Sequence, residues 1–80
     1  RVLVADDNED AADSLAMLLS LVGHEVRVAR DGPEALAVAD ALRPQVALLD
    51  LGMPGLDGYE VARRLRGTPA HANLTLVALT

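Results

Sequence analysis

The chain has no cysteine, no lysine, no phenylalanine and no tryptophan. Each absence closes off a class of function. Without cysteine there is neither a disulfide framework nor a thiolate metal site, which fits a cytoplasmic protein. One tyrosine is the whole aromatic content, so no base-stacking platform for single-stranded nucleic acid exists. The net charge of −5 argues against direct duplex binding, which needs an excess of cations against the phosphates. No apolar run approaches the ~20 residues that span a bilayer. No signal peptide is visible, and the chain opens inside a strand-like run, so sequence upstream of Arg1 is expected.

What is present is aliphatic. Leu, Val and Ala dominate an 80-residue chain, enough for one domain with a modest core. Val2-Leu3-Val4-Ala5 is a short apolar run that ends in Asp6-Asp7-Asn8. Asp7 or Asn8 can cap a following helix whose stripe is Ala12, Leu15, Leu18, Leu19 and Val22, with Gly23 as its stop. His24 to Arg30 alternates polar and apolar, as a half-exposed edge strand does. Asp31-Gly32-Pro33 opens a second helix, with Pro33 at its first position and Ala35, Leu36, Ala39 and Leu42 as its stripe. Val46 to Leu51 reads as a strand buried on both faces, which dissolves into a loop at Gly52, Pro54, Gly55 and Gly58. Asp57 and Glu60 then stand at capping-box spacing before a third helix with Val61, Ala62 and Leu65 inside. A fourth strand covers Leu74 to Thr80. His24, His71 and the Arg63-Arg64-Arg66 group read as solvated, Met17 and Met53 as packing residues, and Tyr59 as a cover for the third helix's start.

The order βαβαβαβ implies a doubly wound α/β fold with a parallel sheet. Strand ends of one sense then share one edge, where such folds bind ligands. Asp6 and Asp7 end the first strand, Asp50 the third and Thr80 the fourth. Three converging carboxylates repel unless a cation is held between them. All-oxygen ligands suit Mg²⁺, with Mn²⁺ as a substitute. A carboxylate beside such an ion can act as a nucleophile toward a phosphoryl group.

These residues carry a resemblance. Asp6-Asp7-Asn8, then Leu49-Asp50-Leu51-Gly52-Met53-Pro54-Gly55-Leu56-Asp57-Gly58, then Ala78-Leu79-Thr80 resembles the receiver domain of two-component response regulators along essentially the whole chain. The resemblance implies a flavodoxin-like fold with strand order 2-1-3-4 for the strands present. It implies that Asp50 is the phosphoacceptor and that Asp7 binds Mg²⁺ directly, with Asp6 acting through water. It makes the Gly52 backbone carbonyl a further metal ligand and Thr80 the switch hydroxyl. It names a histidine kinase or its phosphotransfer domain as the partner, and it implies no enzyme in the usual sense. The Gly-Met-Pro-Gly wording at 52–55, with Gly-Tyr-Glu-Val-Ala-Arg-Arg-Leu-Arg at 58–66 after it, is similar to receivers fused to hybrid sensor histidine kinases.

Beyond the fourth strand the chain departs from that family. On that resemblance, residues 1–80 are expected to be the N-terminal part of a receiver, without its fourth helix, fifth strand or fifth helix, and no Lys is present to match the family's catalytic one. Phosphoryl transfer is expected to be impaired in this form. The fourth strand is expected to present an unpaired apolar edge that invites a homodimer or element exchange. The alternative function is a receiver-like interaction module without phosphoryl chemistry. An aspartate-nucleophile phosphohydrolase is disfavoured because Gly52 stands where its second Asp is needed. Nucleotide binding is disfavoured because the first strand runs into Asp6-Asp7-Asn8, with no glycine-rich phosphate loop.

Overall fold

A computed structural model describes residues 1–79. Four short strands, β1 (Val2–Ala5), β2 (Val26–Ala29), β3 (Val46–Asp50) and β4 (Thr75–Leu79), form one parallel sheet in the order β2-β1-β3-β4. Helices α1 (Glu9–Leu21), α2 (Gly32–Leu42) and α3 (Gly58–Arg66) connect them, and a 3-10 turn (Pro69–His71) precedes β4. This is the doubly wound α/β arrangement that the sequence pattern implies, in the flavodoxin-like strand order that the resemblance implies.

The alternation within β1 divides the core in two. Leu3 and Ala5 join Ala35, Ala39, Val61 and Leu65 on the face covered by α2 and α3. Val2 and Val4 join Ala12, Leu15 and Leu19 on the face covered by α1. Every residue of β1 is buried, but β3 is only alternately so. Val46 and Leu48 face the α1 side and remain partly exposed. The expectation that β3 is buried on both faces is therefore corrected. Among the described residues a single helix covers that side, and it lies nearer β1 and β2.

The same economy of cover explains the outer side of α1. Ala12, Leu15 and Leu19 turn inward, whereas Leu18 is 63% and Val22 72% exposed. Met17 (66%) and Tyr59 (68%) are also exposed rather than packed. His71, expected to be solvated, is buried instead, its Nε2 lying 2.8 Å from Oδ1 of Asp40 on α2. Leu74 packs into the core just ahead of β4, so the strand itself is shorter than the apolar run.

Helix ends follow local chemistry. Asn8, Asp31 and Asp57 accept hydrogen bonds from the backbone N–H groups of Ala11, Glu34 and Glu60, which satisfies donors that have no partner inside a helix. Helix α2 begins at Gly32, one residue before Pro33, and ends at Arg43 in a left-handed conformation (φ +52°). Glu60 does not reach back to complete a capping box. Its carboxylate is held by Arg63 and Arg64 on the same helix.

Candidate phosphoacceptor site

The parallel register sets the site. Ala5 pairs with Leu49 across β1 and β3, so the next residues along, Asp6 and Asp50, stand side by side at the C-terminal edge of the sheet. Connections from β1 and β3 depart to opposite faces, α1 on one and α3 on the other. This is the switch point of an open α/β sheet, where a crevice forms between neighbouring strand ends. Asp7, one residue beyond Asp6 and exposed, completes the group. One carboxylate oxygen from each of Asp6, Asp7 and Asp50 lies within 4.8 Å of the others.

Backbone amides hold two of the three carboxylates in place. Asp6 Oδ1 accepts the Asn8 N–H at 2.9 Å, and Asp50 Oδ1 accepts the Gly52 N–H at 2.9 Å. Each contact is a short turn in which the side chain bonds the amide two residues on. The second oxygen of each group is left to other partners. No Arg lies within ion-pair distance of Asp6, Asp7 or Asp50 among the described residues; Arg30 is engaged with Glu9 and Asp13 at 3.6 and 3.7 Å. Partial burial raises the Asp6 pKa above its ordinary value. The Asn8 N–H opposes that rise, while the neighbouring Asp50 carboxylate and the charge of Asp7 add to it. The edge is thus an electrostatically strained, oxygen-only cluster, suited to a hard divalent cation.

The loop after Asp50 is anchored at several points. Met53 is buried in the larger core, Leu56 packs against it, and Asp57 caps α3. Gly55 takes a left-handed conformation (φ +74°). Gly52, whose carbonyl the resemblance makes a metal ligand, has room around it. An added Cβ there would stand 3.7 Å from Asp50 Oδ1, an ordinary contact. The close approach falls at Gly58 instead, where a Cβ would overlap the Asp50 carbonyl oxygen. The Asp57-Gly58 pair gives no sign of this in sequence, where Gly58 reads as one more loop glycine. Thr80, the expected switch hydroxyl, lies outside the described residues.

A parallel sheet with three aspartates at its switch point defines the class: an α/β domain with an acidic crevice at the C-terminal edge of its sheet. Residues 2–80 match the family model of the response regulator receiver domain, and the chain belongs to that family. It is 48% identical over 68 residues to the response regulator MprA of Mycobacterium tuberculosis strain H37Rv, spanning 85% of this chain and 30% of that protein. It is 41% identical over all 80 residues to the response regulator PleD of Caulobacter vibrioides strain NA1000, of which it spans 18%. The crystal structure of the N-terminal domain of a response regulator receiver protein from Methanoculleus marisnigri JR1 superposes with a TM-score of 0.93 at 32% identity. That match covers 99% of this chain and 64% of that one. No helix of the described residues is long and apolar enough to cross a membrane.

Proposed function

We propose that the chain is a phosphoacceptor module of a two-component system, in which Asp50 takes a phosphoryl group from the phosphohistidine of a kinase or phosphotransfer domain. The observation that carries this reading is the meeting of Asp6, Asp7 and Asp50 oxygens within 4.8 Å at the switch point of the sheet. In the transfer, an Asp50 carboxylate oxygen attacks phosphorus. The O–P bond forms as the N–P bond breaks, and the leaving imidazole nitrogen keeps the electron pair. The Gly52 amide holds one Asp50 oxygen at 2.9 Å, which orients the carboxylate and leaves the other oxygen to attack.

The donor set fits Mg²⁺: three carboxylates, no nitrogen or sulfur ligand, and enough exposure for water to complete the coordination. Asp7, Asp50 and the Gly52 carbonyl would hold the ion, with Asp6 acting through water. When bound, it would neutralise phosphoryl charge at an edge that otherwise repels anions. The new phosphoryl charge on Asp50 would then bias neighbouring segments and alter contacts with a partner.

A Mg²⁺ titration of thermal stability, on this chain and on Asp7→Asn, tests the metal site. A saturable rise in the first that is lost in the second supports it; identical responses refute it. Incubation with a phosphohistidine donor and Mg²⁺ then tests Asp50. A hydroxylamine-labile label that disappears in Asp50→Asn is the expected result, and a label that survives that substitution places the chemistry elsewhere.

A further inference from the structure

We infer that Gly58 is a positioning residue for Asp50, an inference that rests on the phosphoacceptor reading and extends it from the carboxylates to the helix behind them. Gly58 is the first residue of α3 and is buried. A Cβ built on it would overlap the Asp50 carbonyl oxygen and lie 2.9 Å from the Asp50 carbonyl carbon and 3.1 Å from Leu51 Cα. All three are backbone atoms, which cannot rotate away as a side-chain tip can. The missing side chain lets the start of α3 rest directly on the peptide that carries the phosphoacceptor.

The surroundings decide what a methyl group there would move. On the helix side, the first turn is fixed by the Asp57 cap and by Val61 and Leu65, both buried in the larger core. Between helix and strand, the loop is held by Met53 in the core and by Leu56, whose backbone and side chain lie against Gly32. On the strand side, β3 is paired with β1 from Val46 to Leu49 and with β4 from Val46 to Asp50, so Asp50 has a partner on β4 alone. Its last link is weaker: Leu51 N–H donates to Leu79 O at 3.3 Å. The Asp50–Leu51 peptide is therefore the compliant part. Displacing it shifts the Asp50 carboxylate and the Gly52 N–H that holds it at 2.9 Å. The cost appears in the geometry of the acidic group, because Asp6 and Asp7 sit on a different strand end and do not follow. Helix propensity pulls the other way, since Ala suits a helix better than Gly. A gain in helix content beside a loss of site geometry is thus what separates positioning from simple destabilisation.

The test compares Gly58→Ala with Val61→Ala in the same 80-residue chain. Val61 is fully buried one turn along α3, with its side chain in the larger core. The readouts are the Mg²⁺ dissociation constant, by calorimetry, and the position of the Asp50 carboxylate in crystal structures of the two variants. Gly58→Ala is expected to weaken Mg²⁺ by tenfold or more and to carry the Asp50 oxygens away from those of Asp6 and Asp7. Val61→Ala is expected to lower stability while keeping the dissociation constant within twofold and the carboxylate in place. An unmoved carboxylate in Gly58→Ala, or an equal loss of affinity in Val61→Ala, overturns the inference. A parent chain that fails to bind Mg²⁺ overturns the metal reading alone, and the crystallographic comparison still decides the role of Gly58. Should Gly58→Ala not fold in plain buffer, trimethylamine N-oxide, which favours compact states, restores the fold for the same two readouts.

Discussion

Replacing Asp6 by Asn should stabilise the metal-free protein, and the size of the effect follows from the geometry of the cluster. Asn keeps an oxygen for the Asn8 N–H that Asp6 Oδ1 accepts at 2.9 Å, so the turn survives and only charge is lost. Two unit charges at the 4.8 Å limit of the cluster repel by ~0.9 kcal/mol in bulk water and ~3.5 kcal/mol at an effective dielectric constant of ~20. The edge is open to solvent, so the lower figure governs, and Asp6 has two such neighbours. Removing its charge relieves ~1.7 kcal/mol of repulsion and forfeits roughly 0.5 kcal/mol of attraction to the N-terminus of α1. The net gain is ~1 kcal/mol, which raises the Tm of a domain this size by roughly 4–8 °C.

The pH dependence has a definite sign. The Asp6 pKa is raised above 3.8 in the folded state, by burial first and by the Asp50 and Asp7 charges in addition. The folded chain therefore binds more protons than the unfolded one just above pH 3.8. Its stability relative to Asp6→Asn falls as pH rises from 3.8 through the folded pKa, then levels off. Thermal unfolding in EDTA at neutral pH should show the variant ahead. The gap should close below pH 3.8, where Asp6 is protonated in both states, and shrink in ~1 M salt, where the Debye length is ~3 Å. With Mg²⁺ at a hundredfold excess over Kd the parent should gain ~2.7 kcal/mol and overtake the variant. A variant less stable than the parent in EDTA at neutral pH, or a gap indifferent to both pH and salt, would refute the electrostatic reasoning.

Other perturbations have equally direct readings. Leu65→Ala removes a side chain that is 1% exposed and should cost about 2–5 kcal/mol by urea unfolding, without moving the Mg²⁺ dissociation constant. Asn8→Ala frees the Ala11 N–H that Asn8 now satisfies at 3.1 Å and should cost ~1 kcal/mol, whereas Asn8→Asp should cost little. Asp40→Ala should cost about 1–2 kcal/mol although the Asp40 side chain is 74% exposed, because buried His71 loses the carboxylate its Nε2 meets at 2.8 Å. Mg²⁺ affinity should fall as pH is lowered, starting above the ordinary carboxylate range because the Asp6 pKa is raised.

The sequence made the sheet edge legible because strand ends and chemistry coincide there. Asp6 follows an all-apolar run and Asp50 closes another, so parallel register alone puts them level. The caps were legible for a related reason: Asn8, Asp31 and Asp57 act on amides three residues away, and that distance is local. What stayed hidden depends on which layer lies on which. The stripe of α1 shows where its apolar residues point, but not that Leu18 and Val22 lie beyond the reach of the sheet. His71 looks like a surface residue until α2 brings Asp40 to it across 31 positions. Gly58 reads as loop punctuation until β3 and α3 are set in contact.

The charge distribution links the stability of this fold to its chemistry. All the carboxylates except Glu25 and Asp40 lie at the strand C-terminal edge or in the first two turns of the helices beside it. Those in the first turn, Glu9, Asp10, Glu34 and Glu60, gain from the positive end of a helix, and Asp31 and Asp57 cap one. The helix ends thus support an acidity that would otherwise be difficult to maintain on one edge. That support is local, within a turn of each helix, and it does not cancel the repulsion among Asp6, Asp7 and Asp50, which meet in the crevice between α1 and α3. Arg30, the one Arg at this edge, is occupied by Glu9 and Asp13. Under the phosphoacceptor reading, the relief must then come from a bound cation, and the three carboxylates form a site held at a cost that its ligand removes. Such a site is stabilised by the ion it binds and destabilised by its own charge when empty. This is why one substitution, Asp6→Asn, should change sign between EDTA and Mg²⁺.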